Sequence, residues 1–280
     1  MKFVEATITI STENIICLIG LTLLGCWLLR TSLGKKALAD SVPRRNNVPG
    51  YMPVVLLLIW FGPVQMATLI AQELAADPQS WQSVLVGKIV FCIAATATAV
   101  FIILLARAHF ARRLNGFGLD IRTILRDIPA AIVNLLAVCP LMFAVIRLTM
   151  FVGQFFQGGE YQMQRHEELE LIAARPELPL RIVIFVATAV LVPVLEELMF
   201  RGFLQTMIRS FFKAGNGAWP AIAITSWLFA MLHADASHWP ALFVLGACMG
   251  YSYEKSGSLF RPIFIHAIFN ATSVMAAMNL

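Results

Sequence analysis

Long apolar blocks alternate with short polar connections along the whole chain. Eight apolar segments lie near residues 14–33, 52–73, 83–106, 128–152, 180–210, 218–235, 239–254 and 259–278. A helix needs roughly 20 mostly apolar residues to cross about 30 Å of hydrocarbon. Several of these blocks reach that length, so the pattern predicts an all-α polytopic transmembrane bundle of about eight spans. Short connections crowd the last four segments together, whereas longer polar loops separate the first four. No internal repeat or low-complexity linker divides the chain. It reads as a single membrane domain over 1–280, with N-terminal helices of unassigned role over 1–152.

The basic residues give this pattern an orientation. The loop after the first segment holds Lys35, Lys36, Arg44 and Arg45; the loop after the third holds Arg107, Arg112, Arg113, Arg122 and Arg126. Arg209 and Lys213 follow the fifth segment, and Lys255 and Arg261 the seventh. Between them fall Glu73 and Asp77, the mixed stretch from Glu160 to Glu177, and Asp235. The positive-inside rule therefore puts these basic loops in the cytoplasm and both termini outside. On the outer side the one long polar excursion is 153–179. Leu169, Ile172 and Ala173 share a helical face there, which predicts an amphipathic surface helix.

Composition agrees with the membrane class. The chain has 280 residues, 59% of them hydrophobic and 13% charged, against about a quarter charged in a soluble domain. The net charge of +5 implies no nucleic-acid partner, because membrane orientation accounts for basic residues in short loops. Cys17, Cys26, Cys92, Cys139 and Cys248 all fall inside apolar blocks without a C-x-x-C pair. They read as small core residues, not as a disulfide framework or a metal site. Leu23-Leu24-Gly25-Cys26 looks like a lipoprotein cleavage box. However, Glu5 and Glu13 precede it with only Lys2 as a positive charge, and Trp27 to Leu29 continue the apolar run. A first transmembrane helix is the expectation. The expected location is the bacterial cytoplasmic membrane, as a multi-pass protein.

Ionisable residues inside apolar helices are costly and need a reason. In Val194-Leu195-Glu196-Glu197-Leu198-Met199-Phe200-Arg201, Glu197 and Arg201 are four apart, with the acid N-terminal to the base, the favourable order. That pairing would keep Glu197 ionised. Glu196 lies about 100° around the helix and is left without the partner, as suits a general base toward water. Alternatively, both acids simply bind arginines between helices. Phe229 and His233 are again four apart on one face of the sixth segment, with Asp235 and His238 following in a loop. Such a histidine is either part of a polar pocket or a hydrogen-bonded packing residue. His266 and Asn270 repeat the spacing on the eighth segment. Two donors on one stripe can hold an oxyanion, or can bond between helices.

Taken in order, EExxxR, FxxxH and HxxxN on separate apolar helices resemble the CAAX prenyl protease and bacteriocin-processing family of intramembrane endopeptidases, also called the CPBP or ABI family. Gly202, Gly246, Gly250, Tyr251, Ser256-Gly257-Ser258-Leu259 and Pro262-Ile263 extend the resemblance, which covers roughly residues 180 to 275. It implies catalytic helices over 180–278 that hydrolyse a peptide bond in a membrane-associated or lipidated protein or peptide, prenylated or not. It further implies that Glu196 and His233 activate a water, that His266 and Asn270 hold the oxyanion, and that Glu197 and Arg201 support them. The family is often labelled metalloprotease, and if zinc is bound its ligands are Glu196, His233 and His266. No two histidines show the i, i+4 spacing of the helical zinc protease motif, so the expectation is no cofactor and no metal. Other readings are a non-catalytic immunity or scaffold protein of the same fold, and a transporter, for which Lys88 and Arg147 would mark a path. With idealised helices rising 1.5 Å per residue, Glu196 and His266 fall in the cytoplasmic half and His233 nearer the other side.

Overall fold

The structure, a computed structural model, describes residues 12–73, 77–78, 80–157, 161–163, 166–212, 217–233 and 235–278. Lys2, Glu5, Glu160 and Lys213 lie outside the described residues. All eight apolar segments are helical. The first is α1 (Thr12–Arg30). The second is α2 (Met52–Ile59) and α3 (Gln65–Glu73), joined by a π turn at Trp60–Val64. Next come α4 (Trp81–His109), the short α5 (Arg113–Phe117) and α6 (Ile124–Gln157). After α7 (Glu167–Ala174) runs a long rod made of α8 (Leu178–Val186), α9 (Val192–Glu197) and α10 (Thr206–Phe211). The chain ends with α11 (Ala218–Met231), α12 (Trp239–Ser256) and α13 (Phe260–Ala277).

Among the described residues, Glu13–Arg30, Trp81–His109, Ile121–Phe156 and Leu178–Phe211 are long and apolar enough to cross a membrane. The chain is a multi-pass membrane protein built of helices. Side chains such as Leu18, Ile93, Leu104 and Phe151 are exposed on the outer helix faces, where lipid tails meet them.

The rod α8–α10 occupies the centre, and two π turns interrupt it, at Ala187–Leu191 and Leu198–Gln205. All eight residues of the second π turn are buried, as expected for a helix covered on every side. One core cluster beside it contains Leu56, Ile102, Phe117, Leu195, Phe203 and Tyr253. Another contains Phe200, Leu204, Phe229, Leu245, Met249 and Ile265. Gly202 is needed for this packing, because a Cβ there would come within 2.2 Å of the Phe117 ring.

Three local expectations are corrected. The sixth segment, marked as 218–235 by hydropathy, ends as a helix at Met231. His233 therefore lies in the turn beyond the helix, and Asp235 caps a 3-10 turn at Ala236–His238 by accepting from the Ser237 amide. An aspartate favours such a cap over continued helix. The amphipathic helix is α7, with Ile172 fully buried and Leu169 half-buried, but Ala173 faces outward. Cys26 is exposed on α1, not in a core, although all five cysteines are free.

Candidate functional site

Two glutamates leave the end of α9 in different directions. Glu197 is fully buried, and Arg201 Nη1 donates to its Oε1 at 2.8 Å. The four-residue spacing brings them together through the start of the π turn. His266 Nδ1 lies 3.1 Å from the same Oε1. A carboxylate paired with arginine only accepts, so Nδ1 carries the hydrogen and donates. Glu196 remains without such a partner. Its side chain is 14% exposed, its Oε2 lies 3.8 Å from His266 Nε2, and that buried oxygen has no hydrogen-bond partner among the described residues. His266 is thus set between the two carboxylates, tied to one and facing the other.

His233 is brought to the same place by a helix end. Its Nδ1 lies 2.9 Å from the Phe229 carbonyl, one of the orphan acceptors in the last turn of α11. A carbonyl only accepts, so the hydrogen sits on Nδ1 and Nε2 keeps its lone pair. Trp239 Nε1 donates to the His233 carbonyl at 2.9 Å and holds the turn. The Phe229 ring contacts His233 with centroids 5.0 Å apart and His266 at 5.7 Å. The Arg201 guanidinium stands 4.7 Å from the same ring centroid. Both histidines therefore pack on one phenylalanine ring, although idealised helices set them towards opposite sides. His238 Nδ1 lies 3.4 Å from Asp235 Oδ2 beside this turn. Partial desolvation opposes its charge, but hydrogen bonds from the Ser237 hydroxyl and amide, together with His238, hold the Asp235 carboxyl below its ordinary value.

Asn270 is positioned by the first π turn. Val192 N–H bonds to the Ala187 carbonyl five residues back, so the Thr188 carbonyl loses its usual helical donor. Pro193 follows at once and supplies no N–H of its own. Asn270 Nδ2 donates to that free Thr188 carbonyl at 2.8 Å. One amide hydrogen is used in this way, and the second remains for another acceptor. π turns of this kind occur often at functional sites.

The rod continues the site downward as a buried polar ladder that the sequence reading missed. Glu197, Arg201, Gln205 and Arg209 follow one another at four-residue intervals, and all are buried. Arg201 Nη2 donates to the Gly246 carbonyl at 3.1 Å. Gln205 Nε2 donates to the Gly250 carbonyl and to Glu254 Oε1, both at 3.1 Å. Gly246 and Gly250 permit this approach of α12: a Cβ would lie 3.3 Å from Arg201 Nη2 at one, and 2.8 Å from Gln205 Oε1 at the other. The signal was present as a four-residue spacing beyond Arg201.

Among the described residues no three His, Cys, Asp or Glu side chains are gathered as a metal-binding set. The zinc alternative would draw on Glu196, His233 and His266. Each histidine has Nδ1 hydrogen-bonded, His233 to the Phe229 carbonyl and His266 to Glu197, which leaves both Nε2 atoms available and is how a zinc-ligating histidine is normally held.

Residues 178–272 match the family model described as Type II CAAX prenyl endopeptidase Rce1-like. An Escherichia coli protein described as an uncharacterized 24.3 kDa protein is 26% identical over 120 residues, which is 42% of this chain and 54% of that protein. The chain thus matches about half the length of that relative. No solved structure matches.

Proposed function

We propose, from the match of residues 178–272 to the CAAX-type endopeptidase family model, that the chain is an intramembrane endopeptidase using a Glu/His-activated water. The observation that carries this reading is Glu196 Oε2, buried without a hydrogen-bond partner among the described residues and 3.8 Å from His266 Nε2. A water bonded there would lose a proton to Glu196, with the lone pair of His233 Nε2 as a second acceptor. The hydroxide attacks the scissile carbonyl carbon, and the proton passes to the leaving amine as the C–N bond breaks. Asn270 stabilises the oxyanion with its remaining amide hydrogen. A hydrogen on His266 Nε2 would add a second donor, its Nδ1 hydrogen being held by Glu197. Glu197 and Arg201 keep that imidazole in place. The substrate is a membrane-associated protein or peptide in the surrounding bilayer, prenylated or not, and the location is a bacterial cytoplasmic membrane.

The test begins by finding membrane-associated peptides whose termini change when the chain is deleted. The purified protein should then cleave such a peptide, with or without exhaustive chelation, because every step above is carried by side chains. Cleavage that chelation abolishes and zinc restores would replace the metal-free reading. Failure of the purified protein to cleave any of these peptides would leave the scaffold reading.

Asn270→Ala should lower turnover by roughly 100- to 1,000-fold, the cost of removing one donor from an oxyanion hole. Substrate binding should change little, since negative charge develops only in the transition state. Asn270→Asp keeps the size and replaces a donor with an acceptor, so it should be at least as damaging. A packing role predicts the opposite pattern: lower melting temperatures, with normal turnover by the folded fraction. Turnover and melting measured on the same preparations separate the two.

A further inference from the structure

Asp127 and Arg261 form an ion pair between helices that the chemistry above does not use. Arg261 Nε and Nη2 donate to Asp127 Oδ1 at 3.1 and 2.9 Å. The Asp127 side chain is fully buried and that of Arg261 is 16% exposed. The orientation rule counts Arg261 among the loop charges, but the structure places it in the first turn of α13. A helix N-terminus carries positive partial charge, so that position disfavours a cation. Asp127 lies in the first turn of α6, where the same rule favours an acid. Local helix energetics therefore account for Asp127 and oppose Arg261. The arginine owes its place to the contact between the two helices.

That contact fixes the start of the helix that carries His266 and Asn270. α6 packs along α13, and residues just before α6 secure the same junction. The Gly118 carbonyl accepts from the Leu259 amide at 2.8 Å. Thr123 Oγ1 lies 3.0 Å from Ser258 Oγ, and the Ser258 hydroxyl accepts from the Phe260 amide at 3.3 Å. Gly118 has φ +105°, and a Cβ there would lie 2.9 Å from both the Gly257 oxygen and the Leu259 nitrogen. The two turns thus meet backbone to backbone, and Arg261 adds the charged tie. His266 follows Arg261 by five residues and Asn270 by nine, about 7.5 and 13.5 Å along the axis at 1.5 Å per residue. A slide or rotation of α13 at Arg261 is passed to both side chains. A displacement of about 1 Å caused far from the chemistry can cost about 100-fold in rate. Gly118, Thr123 and Asp127 all lie outside residues 178–272, which match the family model.

We propose that Asp127 is a positioning residue: through Arg261 it sets the placement of α13, and so of His266 and Asn270. Its effect on rate rests on the cleavage reading above; its effect on His266 does not. The full-length protein is labelled with isotopic nitrogen in histidine and purified in detergent for magnetic resonance. The chain has five histidines, so the His266→Gln variant assigns the His266 ring nitrogens by difference. In Asp127→Asn those resonances should move, because the Nδ1 contact with Glu197 changes as α13 shifts. With a peptide that the parent cleaves, kcat should fall by about tenfold to 100-fold. KM should stay near its parental value, as when only transition-state contacts are lost. Arg261→Lys keeps the charge but loses the planar fork, and should give a smaller change of both kinds. It is the variant to read if Asp127→Asn does not fold. His266 resonances that stay in place, or that move with no loss of kcat, overturn the proposal. A lower melting temperature with neither readout changed marks a purely structural pair and overturns it as well. If the parent cleaves no peptide, moved His266 resonances still support the tie from Asp127 to the site, and the cleavage reading is what fails.

Discussion

Glu196→Gln is expected to lower peptide cleavage by on the order of 100- to 10,000-fold, the usual contribution of a general base, while insertion and melting temperature stay at parental values. The substitution keeps the shape of a side chain that is only 14% exposed. It removes no protein hydrogen bond at Oε2, since none is made there among the described residues. What it removes is the ability to accept a proton. The neighbouring Glu197→Gln offers the contrast. Glu197 accepts from both Arg201 and His266, so its amide leaves a buried guanidinium without its counter-charge and should lower stability as well as rate. Two adjacent carboxylates are thus expected to differ in kind. A Glu196→Gln enzyme that cleaves at the parental rate would remove the base from the mechanism.

The Glu197–Arg201 pair was legible in the sequence because i, i+4 spacing is a local geometric fact, and the structure has it at 2.8 Å. The separation of Glu196 from that pair was legible for the same reason. The turn that holds His233 against the Phe229 ring was not, since it depends on α11 ending at Met231, where the apolar run itself gives no stop. The π turns were equally hidden. The one at Ala187–Leu191 frees the Thr188 carbonyl for Asn270, 82 positions away in sequence, and only tertiary packing decides whether that exchange of partners is made. Gln205 and Glu254 were missed because a polar residue on a long apolar helix acquires meaning only from the helix opposite, here through Gly246 and Gly250. Local spacing thus reached the first turn of the ladder, and long-range packing built the rest.

Arg201→Ala should be the most destabilising single change in the site. Arg201 is fully buried and binds three things at once: Glu197 Oε1, the Gly246 carbonyl and the face of Phe229. Its removal strands the Glu197 charge, which is also fully buried. Breaking a buried ion pair from one side costs about 3–5 kcal/mol in soluble proteins, a large share of a typical domain's 5–15 kcal/mol. The expected result is a sharp fall in the yield of folded protein from detergent, together with loss of cleavage. The double variant Glu197→Gln with Arg201→Met separates the two effects. It removes both charges and keeps much of the apolar volume, and matched removal of a buried pair is often close to neutral. Yield and melting temperature should therefore recover well above those of Arg201→Ala. Cleavage should stay low, because a glutamine no longer offers His266 Nδ1 the carboxylate that fixes its tautomer. If instead Arg201→Ala melts like the parent and loses only substrate binding, the guanidinium contacts the substrate, and Glu197 finds its counter-charge elsewhere.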